Sequence, residues 1–361
     1  MTRPAVARID LDALRHNYAL ARQLHGGRAL AVLKADAYGH GSTRCAQALQ
    51  GLADAFAVAF LEEAVTLREA GIDAPILILE GAFDADEIET IARLRLWTVV
   101  HHETQLKLLE GAAARDGVHV WLKVDSGMGR AGFALKDVAR VHGRLTTCRH
   151  VAEVTLMTHF ARADEPDSSA TAAQIAVFDA ATRSLPGPRS LCNSAGVMAW
   201  NRGRRDWARP GIMLYGANPF PQGTHDLRPV MSLRSEVFAT RDLMPGDALG
   251  YGATFVAERP TRVGLVALGY ADGYPRGAPN GTPVSVDGTR THLIGRVSMD
   301  MLTVDLTDLP ASGIGSIVEL WGSDVSVADV AQRSGTISYE LLCNVKRVRR
   351  VYAADPSRGP H

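Results

Sequence analysis

The apolar positions of the chain follow two regimes. Up to about residue 215, short continuous apolar runs alternate with stretches whose apolar residues recur every three or four positions. Runs of the first kind suit strands buried on both faces of a parallel sheet, and stretches of the second suit amphipathic helices. The first helix is predicted from Leu11, with Leu14, Tyr18 and Ala21 on its apolar face; Asp10 or Asp12 can cap it and Gly26-Gly27 end it. Strands are then predicted over 29–33, 55–59, 75–79, 96–100, 119–124, 151–157, 189–192 and 208–215. Helices fall between them, near 42–50, 61–70, 84–95, 103–115, 134–145, 169–185 and 194–200. This alternation is the pattern of an α/β protein with a (β/α)8 TIM barrel. An open doubly wound sheet is the alternative, but its phosphate loop would need a GxGxxG or P-loop string, and neither is present.

After Pro219-Phe-Pro221 the periodicity shortens. Alternating runs over 231–240, 261–268, 282–286, 291–297, 301–306 and 316–320 are punctuated by Gly and Pro, with helical spacing only at 326–334. This predicts a mostly antiparallel all-β domain. The expected division is a barrel over 10–225 and a β domain over 226–361, joined by the N-terminal residues 1–9, of which 5–9 are extended.

Charge narrows the classes of partner. The 39 basic and 39 acidic residues balance, so nothing favours nucleic acid or an anionic membrane surface. The densest basic run, Lys346-Arg-Val-Arg-Arg350, is expected to be a solvated edge or tail. Cys45, Cys148, Cys192 and Cys343 are far apart and show no CxxC spacing for metal or redox work. The first residues lack the apolar core of a secretory signal, and no apolar run is long enough to span a bilayer. The expectation is a cytoplasmic protein without disulfides or a metal.

Candidate chemistry gathers where the barrel strands should end, the face on which barrels of this kind place their functional side chains. Lys34 closes the first apolar strand and is followed by Ala-Asp-Ala-Tyr38-Gly-His-Gly41, whose glycines mark a tight turn before a helix. A lysine desolvated there becomes a nucleophile, although a lone lysine can equally snorkel to solvent. The fifth strand ends in Lys123-Val-Asp-Ser-Gly-Met-Gly-Arg130, the sixth in Thr158-His159-Phe-Ala-Arg-Ala-Asp164 and the seventh in Asn193-Ser194, while the eighth carries Arg209-Pro-Gly211. Loops after strands seven and eight often hold phosphate; Ser194 opens the helix there, and Gly211 permits a close backbone approach. Ser194 could also be an ordinary helix cap, His159 a buried histidine bonded to backbone, Lys123 a strand-end surface lysine and Arg130 an exposed one. Arg130 would suit a bidentate grip on a carboxylate.

The string Lys34-Ala-Asp-Ala-Tyr38-Gly-His-Gly41 resembles the cofactor-attachment motif of the alanine racemases, pyridoxal-phosphate enzymes of fold type III. Similarity to that family runs from Ala29 to Tyr339. It implies pyridoxal phosphate held as a Schiff base on Lys34, with cofactor contacts from Tyr38, His159, Ser194, Arg209, Gly211, Ile212 and Tyr339. In the family pattern, Arg209 meets the pyridine nitrogen, supported by His159. Lys123 matches a lysine that is often carbamylated and holds the arginine matching Arg130. Gly250-Tyr251-Gly-Ala-Thr-Phe255 resembles the second catalytic segment, which makes Tyr251 the other acid/base; read alone, it would be a turn aromatic between glycines. Segments around Gly269-Tyr270-Ala-Asp-Gly-Tyr-Pro-Arg276 and Gly295-Arg296-Val-Ser-Met-Asp300 resemble the access channel. There Asp164, Tyr270, Arg276 and Arg296 would gate access, and the backbone of Met299 would help Arg130 seat the substrate carboxylate. Thr336-Ile-Ser-Tyr339-Glu resembles a loop whose tyrosine reaches the phosphate, but Cys343-Asn-Val-Lys-Arg-Val-Arg-Arg lacks the proline usual in the ending that follows.

The resemblance implies L- and D-alanine interconversion by two bases, in a homodimer whose β domains cover the partner's active site. The product would serve peptidoglycan synthesis or alanine breakdown. Alternatives are a racemase of broader specificity, a decarboxylase of the same fold type and a pyridoxal-phosphate carrier. The decarboxylases place an acid where Arg209 stands, the carriers lack a β domain, and the broad racemases usually bear a signal peptide.

Overall fold

A computed structural model describes residues 3–112, 117–220 and 225–353. After strand β1 (Val6–Ile9), helix Leu11–His25 begins where the Asp10 carboxylate accepts the N–H groups of Asp12 and Ala13. It ends where Gly26 takes a left-handed φ of 78°. Eight parallel strands then close into a barrel: β2 (Arg28–Val32), β3 (Ala55–Val58), β4 (Ile76–Ile78), β5 (Trp97–Val100), β6 (Val118–Lys123), β7 (Val151–Met157), β8 (Arg189–Ser190) and β9 (Trp207–Ala208). Closure comes from β9 returning beside β2, with Arg28 opposite Trp207 and Ala29 opposite Ala208. Trp97, Trp121 and Trp207 fill the N-terminal end of the barrel, their rings 5.6 to 6.2 Å apart, and the Arg28 guanidinium lies 4.1 Å over Trp207. This aromatic plug leaves the opposite end, where the strands finish, for the site.

Helices Ser42–Leu49, Leu61–Glu69, Ala85–Arg93, Glu103–Gly111, Val138–Thr147, Ala170–Thr182 and Ser194–Ala199 occupy the predicted intervals. Residues 113–115 of the expected 103–115 helix lie outside the described residues, as do Pro221 and 354–361. The last two barrel strands are much shorter than the apolar runs implied. The eighth run splits after Ala208: Pro210 offers no N–H to a ladder, and Ile212–Tyr215 winds into a 3-10 turn. That turn packs instead of pairing, with the Tyr215 hydroxyl donating to the Val32 carbonyl at 2.8 Å.

The remaining strands are β10 (Met231–Leu243), β11 (Ala248–Leu249), β12 (Phe255–Val256), β13 (Thr261–Val266), β14 (Pro283–Val286), β15 (Thr289–His292), β16 (Leu302–Asp305), β17 (Ile317–Trp321) and β18 (Arg349–Tyr352). Together with β1 they form an eight-stranded sheet and a separate β11–β12 pair. The main order is β15-β14-β17-β10-β1-β18, with β13 bridging β10 and β16. Every pairing in it is antiparallel except β1–β18. The basic run takes the edge of this sheet, as expected, but as an ordered strand rather than a loose tail. Arg349–Tyr352 is ordered as a strand because the outer edge of β1 needs a ladder partner, with Ala7 opposite Arg350.

Candidate active site

Lys34 lies two residues past β2 and opens a turn, Lys34–Tyr38, that winds the wrong way. Ala35, Asp36, Ala37 and Tyr38 all have φ between 50° and 54°, though none is glycine. Left-handed helix costs on the order of 1–2 kcal/mol per such residue, so neighbours must hold it. The expected tight turn is therefore tighter than two glycines alone would make it. Gly39 and Gly41 remain necessary: a Cβ on Gly39 would sit 2.2 Å from the Leu342 carbonyl oxygen, and one on Gly41 would sit 2.0 Å from the Tyr352 hydroxyl.

The turn delivers Lys34 and Tyr38 to the rim of a cavity of about 310 Å³ at the C-terminal ends of the strands. Lys123, Arg130, His159, Ser194, Arg209, Gly211, Ile212 and Tyr339 line the same cavity. The arrangement is strongly cationic. Burial lowers the Lys123 ammonium's pKa from its ordinary value, and Arg209, Arg130 and Lys34 lower it further, against the pull of Glu80. Burial likewise holds His159 well below the usual histidine range, reinforced by Arg209, Lys123, Arg130 and Lys34, so its ring is neutral at neutral pH. Arg209 is buried with its guanidinium on the Ser190 hydroxyl and the Thr158 carbonyl, and with His159 Nδ1 at 3.4 Å. Burial brings its pKa down to about 10. Arg130 rides an exposed loop wound around Asp125, whose carboxylate accepts the N–H groups of Gly127, Met128 and Gly129 at 3.0 to 3.1 Å.

Beside Tyr38 the backbone forms a cup. Asn193, not Ser194, caps helix Ser194–Ala199, accepting the Gly196 N–H at 2.9 Å. The Ser194 hydroxyl is turned across to β9, where it accepts from the N–H groups of Gly211 at 2.9 Å and Met213 at 3.3 Å. The simple-cap alternative for Ser194 is thus replaced by a bond to the next strand's loop. Tyr339 belongs to the first turn of helix Ser338–Cys343 rather than to a loop, and its ring lies 5.9 Å from that of Tyr38. Burial pushes its phenol up to about 12.

Tyr251, Met299, Tyr270, Arg276, Arg296 and Asp164 do not line the cavity. Tyr251 projects from the β11–β12 connection and is 67% exposed; Met299 is 53% exposed. The β-domain candidates nevertheless share local supports. Tyr270 and Ala271 donate their N–H groups to the Ser298 and Met299 carbonyls, each at 3.0 Å. Sequence reasoning missed Glu80, the one acidic residue among those lining the cavity, as well as Cys343, while Asn193, named at the end of the seventh strand without a role, lines it too. An acid at the end of the third barrel strand, β4, was the available signal for Glu80; Cys343 carried none, because its helix comes from the other domain.

A closed barrel with a lysine-headed turn, a backbone cup and buried cations gathered where its strands end has the layout of a barrel enzyme. Family models of the alanine racemase N-terminal and C-terminal domains match residues 9–219 and 230–352. The chain belongs to the alanine racemase family, and with it to the isomerases. An alanine racemase of Azoarcus sp. (strain BH72) is 64% identical over 346 residues, 96% of this chain and 98% of that protein. The crystal structure of the biosynthetic alanine racemase from Pseudomonas aeruginosa matches with a TM-score of 0.95 at 47% identity, over 98% of this chain and 100% of that one. The alanine racemase from Bartonella henselae, solved with covalently bound pyridoxal phosphate, matches with a TM-score of 0.88 at 28% identity, over 98% and 100%.

Proposed function

We propose that this enzyme interconverts L- and D-alanine on pyridoxal phosphate held by Lys34, as a cytoplasmic homodimer with shared sites. The observation that carries the reading is the cup beside Tyr38, in the cavity that Lys34 also lines. A Cβ on Gly211 would sit 2.6 Å from the Tyr38 hydroxyl, so only glycine leaves room there for Tyr38 to share a small anion with Ser194. The cofactor's phosphate fits that cup, and its ring suits the cationic floor. Tyr38, Ser194, Gly211, Ile212 and Tyr339 would take the phosphate; Arg209, with neutral His159 behind it, would meet the ring nitrogen. When bound, the cofactor supplies the electron sink for a carbanion at the substrate's Cα.

The chain's own residues set the outcome. Racemisation requires a proton to leave one face of Cα and another to arrive on the opposite face, so two bases are needed. Lys34 Nζ serves one face. Tyr251 of the partner subunit serves the other, which accounts for its exposure in a single chain. Arg130 grips the substrate carboxylate through its planar fork, seated by the partner's Met299. Arg209, which keeps its proton, would donate to the ring nitrogen of the bound cofactor and so disfavour full protonation of the ring. Lys123 is the candidate for carbamylation: a depressed amine adds to carbon dioxide and loses a proton, turning a buried cation into an anion for Arg130. Asp164, Tyr270, Arg276 and Arg296 form the gate to this site. The working units are the barrel over 10–225 and the β domain over 226–361 with residues 1–9, the latter covering the partner's mouth.

Purified protein reconstituted with pyridoxal phosphate should bring L-alanine or D-alanine to a racemic mixture, followed by optical rotation. Equal rates across a panel of L-amino acids would replace alanine by a broader substrate class. Release of carbon dioxide with no D-alanine formed from L-alanine would overturn the reading.

A further inference from the structure

We infer that Glu63 and Arg350 are positioning residues that hold the left-handed turn after Lys34 and so aim its amine. The inference rests on the reading of Lys34 as the covalent base, but its observations concern the turn. Four non-glycine residues in left-handed geometry persist only where their surroundings over-determine them. Two carboxylates do most of that here. Glu63, on helix Leu61–Glu69, accepts the Ala35 N–H at 2.7 Å with one oxygen and the Ala59 N–H at 2.7 Å with the other. It thereby pins the first residue of the turn to the end of β3. Asp36, within the turn, accepts the Ser42 N–H at 2.7 Å, while its second oxygen pairs with Arg350 at 2.6 Å.

Arg350 comes from β18, in the other domain, and β18 is itself fixed in register against β1. Two residues further along the same strand, the Tyr352 hydroxyl donates to the His40 carbonyl at 3.1 Å. The buried His40 ring in turn lies 2.9 Å from the Ala37 and Tyr38 carbonyls. The turn is therefore gripped from the barrel at its first residue and from the β domain at its second and last. Neither Glu63 nor Arg350 lines the cavity, so neither can act on substrate directly. The Arg350–Asp36 pair is part-exposed, 30% and 50% at the two side chains, so it adds little to global stability. Its retention at full length across two domains is explained by geometry: a rotation at Ala35 or Asp36 swings the adjacent Lys34 side chain.

The test uses reconstituted holoenzyme carrying Arg350→Ala, Arg350→Lys or Glu63→Gln. Racemisation kinetics, hydrogen exchange of residues 33–41 and the thermal midpoint are measured for each. Arg350→Ala should lower kcat roughly ten- to a hundredfold with KM little changed, as expected when a reacting group is misplaced by about an ångström. Exchange over 33–41 should quicken while the midpoint stays within about 3 °C of the parent. Arg350→Lys, which keeps the charge, should recover most of kcat. Glu63→Gln keeps a single acceptor oxygen and should show the same signature in weaker form. Parent-like kcat and exchange in Arg350→Ala would overturn the inference, and so would a kcat loss that follows the thermal midpoint and that lysine does not recover. Failure of the parent itself to racemise alanine would remove the proposed function instead, and unchanged exchange over 33–41 would then still overturn the turn's tethering.

Discussion

The barrel mouth and the β domain hold candidate residues in opposite states. At the mouth, Lys123, Ser194 and Arg209 are buried, and Ser194 and Arg209 are bonded into place. In the β domain, Tyr251 and Met299 stand largely in solvent, and Arg276 and Arg296 are exposed. On the proposed reading, a single chain carries one pre-arranged half of a site and one half that acts on its partner. Pre-arrangement is worth most where charge develops, since fixed dipoles and cations then need no reorganisation. A proton donor can come from elsewhere, provided that its own loop is well supported.

Breaking the pre-arranged half should give the largest effect. Lys34→Ala should remove both the covalent link to pyridoxal phosphate and one base, lowering racemisation by roughly 10²–10⁴-fold or more. Absorbance spectra before and after borohydride check it: a reducible adduct persisting at another lysine would displace Lys34 from its role. Sharpening the contrast needs both halves at once. Lys34→Ala and Tyr251→Phe, each nearly inactive, are unfolded together, mixed equally and refolded. Random pairing makes half the dimers mixed, and one of the two sites in each then receives both intact residues, so about a quarter of all sites should recover. Recovery no greater than the mean of the two variants, with mixed dimers demonstrated, would place both residues in one chain's site.

A smaller effect should follow from filling the cup. Gly211→Ala pushes a methyl to within 2.6 Å of the Tyr38 hydroxyl. Overpacking of that kind costs about 1–3 kcal/mol, which should weaken pyridoxal-phosphate affinity several-fold to about a hundredfold in a fluorescence titration. Unchanged affinity would move the phosphate away from Gly211.

The mildest contrast is with pH. His25, His40 and His119, all in the barrel half, are lowered from 6.5 to about 4, each mainly by burial. Unfolded, each would take up a proton near pH 6.5; folded, only near pH 4. The unfolded state therefore binds more protons between those values, and stability falls as the pH drops through that window, by about 2 kcal/mol per histidine at pH 5. Above pH 7 these groups contribute no slope. A thermal midpoint that stays flat from pH 7 to pH 5 would contradict their burial in neutral form.

Much of the fold was legible because local and long-range preferences agreed. Asp10 and Gly26 bracket the first helix by side-chain capping and positive φ, both properties of single residues. The alternation of buried runs and helical faces announces a parallel barrel, since each strand must be covered on both sides. The polar residues at successive strand ends were likewise readable, and ten of the predicted site residues line one cavity: Lys34, Tyr38, Lys123, Arg130, His159, Ser194, Arg209, Gly211, Ile212 and Tyr339. Where the length of the 208–215 strand failed, the apolar residues Ile212–Tyr215 had been packed rather than paired. Apolarity alone cannot distinguish the two.

What the chain determines by itself is where each turn and cap must fall and which faces are apolar. These depend on torsional and transfer preferences that act within a few residues. What only the tertiary structure decides is how a carboxylate or a guanidinium is used. Asp36 and Arg350 are 314 positions apart, yet together they help hold the lysine turn in its left-handed form. Read locally, Ala-Asp-Ala-Tyr prefers a right-handed turn and Arg-Val-Arg-Arg prefers solvent. Closing the sheet through β1 and β18 brings them together, and the strain of the one is offset by the tether of the other.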